Sequence, residues 1–174
     1  MNEITKRAEE IPPFLVMDVL EKAQQMEKKG QDIVHLEIGE PDFDTPECIK
    51  EAAVRALRND ETHYTHSLGL LNLREAICEH YGKTYGVLVS PDQVLVTSGT
   101  SPAMVILFAT ILEKESEVII SDPHYTCYPN LINFFGGVPV RIPVYEEEGF
   151  QYSPEAIKEK ITDRTRAIMI NSPS

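Results

Sequence analysis

Apolar residues recur along this chain in two different periods, and the change from one to the other divides it. Residues 14–29 place apolar side chains at helical spacing and stop at Gly30, which predicts an amphipathic helix with a glycine close. Residues 33–38 form a short apolar run that predicts a strand. Residues 46–59 predict a second helix opened by Pro46 with Thr45 as its N-cap, and residues 70–85 a third, with Leu73, Ile77 and Tyr81 on its apolar face. From Gln93 onward, β-branched runs alternate with helical stretches. The predicted strands are 94–97, 118–121, 138–142 and 167–170, and the helices between them are 102–112, 128–135 and 154–161. Gly136-Gly137 closes the middle helix. Apolar strands alternating with helices imply a mostly parallel sheet with helices on both faces. The expected class is therefore α/β: an N-terminal helical segment, residues 1–91, followed by part of such a sheet, residues 92–174.

Composition narrows the function classes. Of 174 residues, 42% are hydrophobic and 25% charged, an ordinary balance for a globular protein that can bury a single core. No apolar run is long enough to span a bilayer, and residues 1–7 lack the apolar stretch of a secretory signal. Cys48, Cys78 and Cys127 are scattered without a CxxC pair, which fits reduced thiols in a cytoplasm and neither a disulfide framework nor a zinc site. A net charge of −12 argues against nucleic acid as a partner. Glu146-Glu147-Glu148 reads as a solvated turn, and no metal site is expected.

The candidate chemistry centres on Ser98, Gly99 and Thr100. They stand between a predicted buried strand and a predicted helix with proline in its first turn. A helix start has unpaired N–H groups, its dipole favours an anion, and glycine lets a ligand come close to the backbone. The same residues also fit a plain N-capped helix with Ser98 or Thr100 as the cap. Other residues carry similar double readings. Tyr125 fits a core or surface aromatic as well as a stacking plate. Gly39, before Pro41, fits a simple turn, and Tyr64, between His63 and His66, fits a polar loop. His63, His66 and His124 have no arrangement that would make them catalytic.

Five motifs stand in order along the chain. They are Gly39-Glu40-Pro41-Asp42-Phe43 with Thr45-Pro46; His63-Tyr64-Thr65 with Gly69 and Leu73-Arg74; Thr97-Ser98-Gly99-Thr100; Asp122-Pro123-His124-Tyr125 with Tyr128-Pro129; and Asn171-Ser172-Pro173. In these motifs the sequence resembles the N-terminal portion of the class I/II pyridoxal-phosphate-dependent aminotransferases of the aspartate-aminotransferase type, fold type I. The resemblance implies an incomplete large domain of a pyridoxal-phosphate-dependent transferase, in which Ser98, Gly99 and Thr100 hold the cofactor phosphate and Tyr125 stacks on its ring. It implies that the Gly39 backbone meets the substrate carboxylate. Tyr64 would reach into a partner subunit's site, so a homodimer is expected, and Pro123 matches a proline often preceded by a cis bond. The implied substrates are an amino acid and a 2-oxo acid.

The resemblance also implies residues that this sequence does not contain. The Schiff-base lysine is expected beyond Ser174, and Lys114, Lys158 and Lys160 match no motif, so no catalytic residue is assigned in this chain. The expectation is an aminotransferase in the full-length protein, with the 174-residue chain inactive alone. The alternative is a non-catalytic truncated paralogue that binds a phosphate ligand or a full-length partner. An unrelated nucleotide-binding domain is disfavoured, since neither GxGxxG nor GxxxxGK[ST] occurs.

Overall fold

The computed structural model describes residues 4–172, so Pro173 and Ser174 lie outside the described residues. In order, the elements are α1 (Lys6–Glu10), α2 (Leu15–Glu27), α3 (Glu47–Arg58), α4 (Leu71–Tyr85), α5 (Thr100–Ile111), β1 (Glu117–Asp122), α6 (Cys127–Phe134), β2 (Val138–Pro143), α7 (Pro154–Lys160) and β3 (Thr165–Ile168). Two compact units result. One is Val34–Ser98; the other joins the chain before Val34 to the chain from Gly99 onward.

The second unit contains the sheet, three parallel strands in the order β2-β1-β3. β1 pairs on both sides, and its Val118, Ile119 and Ile120 are fully buried. Val118 and Ile120 pack with Met104, Phe108 and Leu112 at α5 and Ile132 of α6. Ile119 is out of phase with them and points to the opposite face. The crossovers from β1 to β2 and from β2 back past β1 to β3 run in opposite directions. With right-handed crossovers, α6 and α7 lie on opposite faces. Short turns set these crossovers. Gly136 follows α6 at φ +78°, and a Cβ on Gly137 would lie 3.0 Å from both Ile132 Cγ2 and the Ser116 carbonyl. At the N-terminal end of β1, the buried Glu117 accepts from Thr162 Oγ1 at 2.6 Å and from Arg164 Nε and Nη2 at 2.9 and 2.5 Å. This cluster ties the segment before β3 to β1.

In the unit Val34–Ser98, the fully packed residue of α4 is a charge. Arg74 is 5% exposed and donates from Nε to the Gly69 carbonyl at 3.2 Å and from Nη1 to the Pro91 carbonyl at 2.7 Å. Gly69 adopts φ +96°, and a Cβ there would lie 2.8 Å from Val96 Cβ. Arg74 and Gly69 thus fix the chain leading towards Ser98.

Several expectations are corrected. Residues 33–38 and 94–97 form no strand. A strand needs a ladder, and the bond from the Val96 N–H to the Leu68 carbonyl at 3.0 Å joins 94–97 to a loop that is not a strand. Val34 and Leu36 are more than four-fifths exposed. The sheet therefore has three strands where four were expected. At α3, Pro46 occupies the N-cap without a side-chain cap, in place of Thr45. On α4, Leu73 and Tyr81 stay nearly half exposed while Arg74 is buried.

Two predictions follow from these contacts. The Thr162 hydroxyl first, then Arg164, holds the Glu117 carboxyl below the usual glutamate value. A carboxyl depressed in the folded state adds stability above its unfolded pKa, about 4.3, and loses it as pH falls through the folded value. Thermal melts between neutral and strongly acid pH should show a loss of stability in that window that Glu117→Gln lacks; parallel curves would refute the assignment. Gly69→Ala should cost roughly 1–3 kcal/mol in urea denaturation, through its positive φ and the collision with Val96.

Candidate functional site

Parallel strands direct ligands to the crevice beyond their carboxyl ends, where the connecting loops open. In this chain that crevice is a cavity of about 520 Å³. Three segments build it. Thr100, Ala103, Met104 and Leu107 come from the first turns of α5, Tyr125 and Tyr128 follow β1, and Met169 and Asn171 follow β3.

The α5 wall is polar only at its start. Gly99 is the N-cap with φ +116°, a conformation that favours glycine, and no side chain caps the helix. The expected caps Ser98 and Thr100 do not serve as such: Ser98 is an exposed bend residue and Thr100 is the first helical residue. The N–H groups of the first turn lack partners within the helix, and Pro102 contributes none. Thr100 adds a hydroxyl at the cavity rim. Behind it α5 is apolar almost throughout, from Ala103 to Ile111.

The opposite wall turns on the Asp122-Pro123 peptide, which is cis. His124 Nδ1 lies 3.0 Å from the Ser121 carbonyl, which holds the loop back against the strand it leaves. Tyr125 is half exposed, and its ring meets that of Tyr128 edge-on, with centroids 5.4 Å apart at 75°. Its phenol is pushed above its usual pKa, first by a hydrogen bond with Cys127 and then by the charge of that thiol and by burial. At neutral pH it stays a neutral aromatic plate. The third wall is set by Met169, whose N–H donates to the Ile119 carbonyl at 2.9 Å and whose side chain packs against the core.

Thr100 and Tyr125 thus line one cavity, and Gly99 shapes the turn into it. Gly39 and Tyr64 belong to the unit Val34–Ser98, where both are exposed; a Cβ on Gly39 would meet no atom within 4 Å. Tyr128, Met169 and Asn171 also line the cavity. Tyr128 and Asn171 stand inside motifs legible in the sequence, whereas the pattern around Met169 signals only a strand end. No lysine, arginine or carboxylate lines the cavity. Among the described residues, no group of three His, Cys, Asp or Glu side chains could hold a metal ion, and no helix is long and apolar enough to cross a membrane.

Comparison with known proteins agrees with this geometry. The family model described as aminotransferase class I and II matches residues 31–174. A probable aspartate/prephenate aminotransferase of Aquifex aeolicus is 43% identical over 171 residues, 98% of this chain and 43% of that protein. The aspartate/prephenate aminotransferase of Thermus thermophilus is 40% identical over 174 residues, 100% of this chain and 45% of that protein. The solved aspartate aminotransferase from Thermus thermophilus with maleate superposes with a TM-score of 0.95 at 40% identity, covering 100% of this chain and 46% of that one. The chain spans less than half the length of these relatives. Matched by that family model over residues 31–174 and by relatives at about 40% identity along its whole length, this chain belongs to the family of class I and II aminotransferases.

Proposed function

We propose that the protein carrying this chain is a pyridoxal-phosphate-dependent aminotransferase, moving an amino group between an amino acid and a 2-oxo acid, and that this chain supplies the cofactor-holding part of its site. The observation that carries the reading is the meeting, in one cavity, of the α5 start at Thr100 with the aromatic ring of Tyr125. A phosphorylated pyridine fits that donor set. Its dianion suits the uncapped first turn, its flat ring suits an aromatic wall, and the cavity is large enough for both.

When bound, pyridoxal phosphate supplies an electron-withdrawing ring. The residues of this chain bind and orient. Ser98, Gly99 and Thr100 hold the phosphate with hydroxyl and main-chain donors, and Tyr125 offers its ring face. Main chain at Gly39 takes the substrate carboxylate. Tyr64, fully exposed, reaches into a partner subunit's site, so the working form is a homodimer. Functionally, residues 1–91 serve as arm and helical linker and residues 92–174 as the first part of the cofactor-binding domain. Three free cysteines fit a cytoplasmic protein. The relatives named for aspartate and prephenate make an acidic amino donor the first to assay.

The covalent lysine lies beyond Ser174 in this reading. None lines the cavity, Lys114 follows the far end of α5, and Lys158 and Lys160 stand in the last turn of α7. The same observation favours a second reading, in which the chain binds the phosphate ligand without catalysis. Borohydride reduction of the loaded protein, followed by peptide mass spectrometry, separates the two. The first reading expects one modified lysine outside residues 1–174; the second expects none.

Ligand titration tests the site itself. Thr100→Val should weaken pyridoxal phosphate and inorganic phosphate alike, by about three- to tenfold. Tyr125→Ala should weaken pyridoxal phosphate about tenfold and leave inorganic phosphate at its parent affinity. Parent-like binding of both ligands by both variants would remove the reading.

A further inference from the structure

The β1–β3 ladder stops short at the cavity. Its last register pair is Ile119 with Ile168, and the Met169 N–H still donates to the Ile119 carbonyl at 2.9 Å. In a parallel ladder the next bond would run from the Ser121 N–H to the Met169 carbonyl. That carbonyl instead accepts from the Tyr152 hydroxyl at 2.8 Å. Ser121 stands near enough to the Tyr152 phenol that its backbone and hydroxyl pull that group's pKa down, against burial. On its other side β1 stays paired with β2 as far as Asp122 with Pro143, so the opening is one-sided.

We propose that Tyr152 is a positioning residue whose hydroxyl stands in for the next rung between β1 and β3, holding apart the two strand exits that carry Tyr125 and Asn171 into the cofactor cavity. The proposal rests on the function proposed above for that cavity. Tyr152 is well placed for a fixed wedge. It immediately precedes the N-cap of α7, Ser153, whose hydroxyl accepts from the Ala156 N–H at 3.3 Å, and Pro154 fixes the first turn. The phenol is partly buried, and burial pushes its pKa up against the opposing pull of the nearby Ser121, so it remains a protonated donor at neutral pH. A direct rung would bring the strand exits to ladder spacing and draw Met169 and Asn171 towards the Tyr125 loop. The ring-binding half of the cavity would narrow, while the α5 start that holds the phosphate would keep its place.

The test compares the protein carrying this chain with its Tyr152→Phe variant, which keeps the ring and removes the hydroxyl. Pyridoxal phosphate affinity should fall about tenfold, the size of one lost positioning hydrogen bond, while inorganic phosphate affinity stays at the parent value. A crystal structure of the variant should show the Ser121 N–H and the Met169 carbonyl closed to a direct bond of about 3 Å. Tyr152→Leu, which also lacks the hydroxyl, should repeat the affinity pattern, and it serves if the phenylalanine variant does not fold. Parent-like pyridoxal phosphate affinity overturns the proposal, and so does an equal loss for both ligands, which would mark a general structural role. If the parent protein itself does not bind pyridoxal phosphate, the functional reading fails. The spacing in the variant crystal then decides the placement of Tyr152 alone: a closed rung supports it and an unchanged gap overturns it.

Discussion

Everything in the cavity-bearing unit is referred to β1. It is the strand with neighbours on both sides, and it buries Val118, Ile119 and Ile120 completely. Because it is parallel to both neighbours, the loops after β1 and β3 open at the same end of the sheet, and the helix feeding β1 begins there too. Burial of three β-branched side chains on alternating faces contributes on the order of 2 kcal/mol each before chain entropy is counted. The ionic cluster at Glu117 sits at the other end of the strand, remote from the cavity. Its work is register: it ties the turn at Thr162–Thr165 to the start of β1, so that β3 arrives in phase.

What could be read from the sequence was what local pattern controls. The runs at β1, β2 and β3 are β-branched and bounded by turn residues; β1 and β2 formed close to their expected bounds, whereas β3, expected at 167–170, runs Thr165–Ile168 because its pairing with β1 ends at Ile168. The helices from α2 to α7 formed close to their expected bounds, because helical spacing of apolar residues is a local signal even where the expected cap is not used. Residues 33–38 and 94–97 have equally good strand composition but no ladder, since pairing is a property of two segments and composition describes one. The cap at α5 failed for a related reason. Ser98 and Thr100 are good capping residues, yet the backbone turns at Gly99, and the positive φ there moves the helix start past the serine.

The least legible groups were polar ones that act at a distance in sequence. Arg74 stands in a motif beside the expected apolar face of Leu73, Ile77 and Tyr81, and its guanidinium satisfies carbonyls at Gly69 and Pro91. Tyr152 stands outside every motif of the sequence. Its hydroxyl reaches a carbonyl seventeen residues on, in a position that only the strand register defines. In both cases a buried donor finds a main-chain acceptor, as burial requires of it. Nothing in the residue's own neighbourhood announces which acceptor that is.

The cavity is lined by neutral side chains in a chain whose net charge is negative. The chain carries a net charge of −12, so its long-range field opposes the approach of a dianion, more so at low salt. A cationic side chain would answer that with a point charge, but none lines this cavity. The counterweight on this chain is the start of α5, where main-chain N–H groups converge and the helix dipole adds partial positive charge. That attraction falls off within a turn, so it discriminates by position more than by charge. In the function proposed above, an anion that reaches the Gly99–Thr100 turn is held, and one a few ångströms away feels the acidic surface instead. Such a site selects a phosphate carried on something that can also fill the space between Tyr125 and Asn171. The spacing of those two walls then matters as much as the anion contacts, and that spacing is set where β1 and β3 part company at Tyr152.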